Sequence, residues 1–131
     1  MKLAQAKPPK WALTIVDQVW ENQFGRKPVV TWNTGNRRSD GGVYTSGHCD
    51  YHNRITVNVV GDSPRWEQKM VLLHELAHAL TNCCGHNDRF WKQAWTLYRA
   101  YNLPVRKCQE RGADRGAARR QRLATGREAG R

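Results

Sequence analysis

Cysteine is scarce and scattered in this 131-residue chain, with four residues at positions 49, 83, 84 and 108 and no C-x-x-C pair anywhere. That spacing excludes a disulfide framework and a four-cysteine zinc ribbon, and it fits a reducing compartment. Long apolar runs are missing too; none approaches the ~20 residues that a membrane-spanning helix needs. The first ten residues carry lysine and proline but no apolar signal-peptide core. A flexible leader over 1–10 and a cytoplasmic protein are therefore expected. Acidic residues are few: 11 Asp and Glu face 22 Lys and Arg, a formal net charge of +11. Such an excess favours acidic partners, nucleic acid among them.

What the chain does hold is enough for one small core. Six tryptophans supply large apolar areas, and about 100 residues suffice for a single modest domain. The patterning predicts a helix over 11–24 stopped by Gly25, a strand over 28–32 and a polar loop over 33–42. A hairpin over 43–49 and 54–60 follows, its second strand alternating Ile55, Val57 and Val59 with Thr56 and Asn58. Two further helices complete an α+β layout with a three-stranded sheet, a domain spanning 11–104 and a tail from 105 to 131. A monomer is expected.

The chemistry concentrates in His74-Glu75-Leu76-Ala77-His78. Four positions are just over one helical turn, so His74 and His78 share a face and can grip one metal ion. Glu75 stands about 100° around the axis from His74, within reach of a water activated by that ion. Ser63 and Pro64 predict the helix start, Ser63 as cap and Pro64 as first helical residue. Trp66, Met70, Leu73, Ala77 and Leu80 form the apolar stripe beside the two histidines.

A catalytic zinc takes three protein ligands and keeps a fourth position open. His86 is the leading third ligand, on a turn where Gly85 is expected to reverse the chain and Asn87 or Asp88 to start the next helix. Cys83, Cys84 and Glu110 are the weaker alternatives. His48, Cys49 and His52 form a second cluster around the hairpin turn, read as solvated side chains rather than ligands.

These residues resemble the SprT-like metallopeptidases. The likeness rests on His74 to Leu80 and on Gly85-His86-Asn87-Asp88-Arg89-Phe90-Trp91, similar to that family's H-E-x-x-H helix and its later G-H-x-x-x-F segment. The segments around Val29-Val30-Thr31-Trp32-Asn33, Arg37 to Tyr44 and Arg54-Ile55-Thr56-Val57-Asn58 are similar to its strand pattern. The resemblance covers roughly residues 10 to 102. It implies a minimal zincin-like fold, one zinc per chain held by His74, His78 and His86, and Glu75 as general base. It also implies protein substrates associated with DNA. Many members carry a zinc ribbon after this domain, which the present cysteines cannot build.

From position 105 onward the character changes. Nine Arg or Lys stand against three acids with no aromatic residue, contributing +6 of the chain's +11. Little apolar surface is available to offset ordering entropy, so a disordered tail is expected. Arg111, Arg115, Arg119 and Arg122 fall at helical spacing and are the candidates for contact with a DNA or RNA backbone. Two function classes result: a zinc metallopeptidase acting on proteins, and a nucleic-acid-associated binding protein whose zinc site is structural or inactive. A hydrolase acting on cell-wall peptide is a weaker third.

Overall fold

Alternation along one strand decides which side of the sheet becomes the core. Ile55, Val57 and Val59 are buried, whereas Thr56 and Asn58 on the opposite side are only half-buried. A computed structural model describes residues 4–23, 25–35, 45–50, 53–61, 63–82 and 85–110. In chain order these form β1 (Ala4–Ala6), α1 (Lys10–Trp20), β2 (Val29–Gly35), β3 (Thr45–Cys49), β4 (Arg54–Val60), α2 (Arg65–Thr81), α3 (Asp88–Ala100) and α4 (Val105–Glu110).

The sheet is mixed, in the order β1-β2-β4-β3. β3 and β4 form the expected antiparallel hairpin, with Gly47 opposite Val57. β2 runs parallel to β4, placing Trp32 beside Val57 on the buried face and Asn33 beside Asn58 on the other. Across that outer face Asn33 Nδ2 donates to Asn58 Oδ1 at 2.9 Å. α2 packs on β3 and β4, α3 packs on α2, and α1 touches α2. Trp11 of α1 meets Trp32 edge to face, with ring centroids 5.7 Å apart, closing the core at the α1 end.

The α+β expectation holds, with four strands rather than three. The additional strand is β1, inside the stretch expected to be a flexible leader; it pairs antiparallel with β2, Ala6 opposite Trp32. β2 also reaches Gly35, three residues past its expected end, because β4 is long enough to pair with it throughout. α1 ends at Trp20, earlier than expected.

Helix termini differ in detail as well. Ser63 does not cap α2: its backbone N–H and its Oγ both turn back to the carbonyl of Val60, at 3.1 and 2.8 Å. Pro64 takes the cap position with extended backbone (φ −68°, ψ 155°), and the helix begins at Arg65. At the other end Asn82, not Gly85, adopts the left-handed conformation (φ 51°) and donates its N–H to His78 O. Asparagine tolerates that region better than most residues, so the reversal comes three positions early.

The core also continues past Pro104. α4 occupies the start of the expected tail, and Cys108 on it is fully buried in the cluster that contains Leu97, Tyr98 and Leu103. Residues 111–131, with Arg111, Arg115, Arg119 and Arg122, lie outside the described residues, as do His52, Cys83 and Cys84. Among the described residues no helix is long and apolar enough to cross a membrane.

Candidate metal centre

α2 presents three of the four expected functional side chains from consecutive turns. His74 is half-buried, and Glu75 and His78 are buried. His86 arrives from the turn before α3, whose first turn is fixed by Asn87: the Asn87 side chain accepts the Phe90 N–H at 2.9 Å. Phe90 then stacks on the His78 ring (centroids 4.1 Å apart, 26° between planes) and meets the His74 and His86 rings edge-on. Trp91 lies against His74 and His86. Two buried aromatics of α3 thus form the floor on which the three imidazoles rest.

The imidazoles converge through one kind of atom. His86 Nε2 lies 3.2 Å from His74 Nε2 and 3.2 Å from His78 Nε2. Nitrogens on a tetrahedral ion at about 2.0–2.1 Å are separated by about 3.3–3.4 Å, close to that spacing. The ligating atoms of all three lie within 4.8 Å of one another, the one histidine, cysteine or carboxylate group of this kind among the described residues. Three histidines could therefore hold a metal ion. His48 and Cys49 line the same cavity without joining that group, and Glu110 stands at the end of α4.

Electrostatics favour the neutral form of His74. The His74 pKa is lowered from 6.5 to about 3, first by burial and then by His78 and His86 beside it. A neutral imidazole is the form that coordinates metal. Burial raises the Glu75 carboxyl from 4.5 to about 7. A proton acceptor with a pKa near neutrality suits general-base work, and a cation in the cleft would shift it toward the ionised form.

The cavity holds about 260 Å³ and is lined by Gly47, His48, Cys49, His74, Glu75, His78 and His86. Its β3 wall depends on Gly47. A Cβ there would stand 2.7 Å from Val71 Cγ1, 2.8 Å from Glu75 Oε2 and 2.9 Å from Glu75 Cγ. Only glycine lets the strand approach the carboxylate so closely. Tyr98, fully buried on α3, brings its hydroxyl to 3.4 Å from His74 Nδ1. Neither residue was legible as functional: Gly47 gave no local signal, and Tyr98 reads as one more apolar-face aromatic. No family model, curated protein or solved structure matches this chain.

Proposed function

We propose that this chain is a zinc-dependent peptidase that hydrolyses peptide bonds in proteins. The observation that carries the reading is the convergence of three Nε2 atoms in one cavity with the Glu75 carboxylate. The donor set fits zinc, which accepts three neutral imidazoles and keeps a position open. Zinc, when bound, supplies Lewis acidity that polarises the scissile carbonyl and makes water nucleophilic near neutral pH.

The protein's own groups do the rest. Glu75 takes the proton from the attacking water and delivers it to the leaving amine. Its buried setting keeps the carboxylate basic enough for that transfer. His74, His78 and His86 hold their rings against Phe90, so the geometry is set before the ion arrives. A base beside the ligands favours catalysis over a purely structural site, which has no use for one. The test is hydrolysis of an unfolded protein by the zinc-loaded chain and by Glu75→Gln; equal rates would remove the mechanism.

Nucleic-acid contact is a second element of the reading, favoured by a groove remote from the metal centre. Lys10, Arg65 and Lys69 line it together with Trp11 and Tyr101, and no carboxylate is among its lining residues. The Arg65 guanidinium lies 4.8 Å over the Trp11 ring, a cation–π contact that steadies it while leaving N–H edges for phosphate. Nine positions of α2 separate Arg65 from His74, about 14 Å along the axis. A backbone bound there, with or without the arginine-rich tail, would bring DNA-associated proteins near the cleft. The same groove would serve a binding protein with a structural zinc site; cleavage by the wild type that is lost in Glu75→Gln separates the two.

A further inference from the structure

Tyr98 is placed where a metal centre of this kind needs a partner that the sequence pattern does not announce. Its hydroxyl is fully buried, and a buried hydroxyl without a hydrogen bond is costly. Among the described residues, its one hydrogen-bonding partner is Nδ1 of His74, at 3.4 Å, and it is in turn the one partner of that nitrogen. The opposite ring nitrogen, Nε2, is the atom that joins the metal-holding group.

The two ends of this imidazole are chemically linked. Coordination through Nε2 needs its lone pair free, so the ring proton must sit on Nδ1. Nδ1–H then needs an acceptor, and Tyr98 Oη is the atom present. The reverse polarity, with Tyr98 donating to Nδ1, would put the proton on Nε2 and block the ion. With Nδ1–H as the donor, the hydroxyl oxygen accepts, and the tyrosine's own hydrogen must point away from the ring. Packing fixes the oxygen in place: Trp95 meets the Tyr98 ring edge-on at 5.1 Å, and Cys108 of α4 is buried in the same cluster.

We propose that Tyr98 is a positioning residue for the metal, its hydroxyl accepting the Nδ1 proton of His74 and holding that ring with Nε2 toward the ion. The role rests on the zinc reading above and adds to it a support that stands outside the H-E-x-x-H helix. Partners of this type are worth about 10–100-fold in metal affinity.

Tyr98→Phe tests it, since the ring and its packing remain and one oxygen is lost. Zinc dissociation constants are measured by competition with a chromophoric chelator, alongside melting of the metal-free proteins. We expect a dissociation constant weakened about 10–100-fold in a metal-free protein that still melts cooperatively. Unchanged zinc affinity in Tyr98→Phe would overturn the proposal while leaving the zinc site standing; a wild type that binds no zinc would overturn both. The cobalt-substituted wild type gives a reading that does not depend on the variant folding. Its His74 Nδ1–H resonance should exchange slowly with water, and fast exchange there would overturn the proposal.

Discussion

Gly47 of β3 and Glu75 of α2 meet so closely that a single methyl group would not fit between them. A Cβ on Gly47 would lie 2.8 Å from Glu75 Oε2 and 2.9 Å from its Cγ. Gly47→Ala should therefore displace the carboxylate and cost about 1–3 kcal/mol of stability through overpacking. Activity should fall further than stability, while zinc content stays at the wild-type level, because none of the three histidines is touched. Thermal melting, metal analysis and kcat on one preparation check this.

The three ligands should behave as a set. His74→Ala, His78→Ala and His86→Ala are each expected to lose zinc or bind it far more weakly, from one ion per chain in the wild type. Elemental analysis after dialysis reads this directly. Full zinc in His86→Ala would remove the turn residue from the site.

Glu75 also makes a pH prediction for the metal-free protein. Its carboxyl is raised in the folded state from 4.5 to about 7. The protonated form is thus favoured by folding, and that stabilisation is complete below about pH 4.5 and lost as pH rises through 7. Metal-free wild type should lose stability relative to Glu75→Gln between pH 5 and pH 8, by on the order of 1–3 kcal/mol. His74 acts in the other direction, since a pKa lowered to about 3 destabilises the fold as pH drops below 6.5. Both proteins carry His74, so the difference between them isolates Glu75. Urea melts at the two pH values make the measurement.

How much of this was legible in the sequence follows from the range of the forces involved. The grouping of His74, Glu75 and His78 on α2 was readable because helical spacing is local: three or four positions decide which side chains share a face. His86 was readable for the same reason, lying one short turn beyond His78. β1 was not, because Ala4–Ala6 has no strand-forming side chains and is extended only through its pairing with β2. Ser63 does not act as the cap its position suggests, because its hydroxyl has a competing acceptor, Val60 O, at the end of β4. α4 beyond residue 104 was not readable, because Cys108 is buried in a core cluster shared with Tyr98 and Leu97, which lie on a separate helix. Gly47 and Tyr98 owe their roles wholly to tertiary approach.

Truncation should respect α4. A chain ended at residue 110 should fold and bind zinc like the full chain. Ending it at 104 removes Cys108 from the core and should lower the melting temperature, with a cost of about 1–3 kcal/mol for an exposed apolar face. Melting of the two truncated chains side by side decides between the boundaries.

Nucleic-acid binding should divide between the groove and the tail. Neutralising Lys10, Arg65 and Lys69 in the chain ended at 110 should weaken single-stranded DNA binding and flatten its salt dependence. Each lost phosphate contact lowers the log–log slope by about 0.7. An unchanged slope would assign the groove no part in binding; an unchanged slope on removal of 111–131 from the full chain would do the same for the tail.

The most direct measurement is a zinc titration of the metal-free protein with cleavage of an unfolded protein followed at each step, wild type and Glu75→Gln in parallel. Wild-type cleavage should rise from nothing to a plateau at one zinc per chain. Glu75→Gln should take up the same single ion and remain inactive. Cleavage without zinc, or cleavage by Glu75→Gln at the wild-type rate, would contradict a peptidase built on His74, His78, His86 and Glu75.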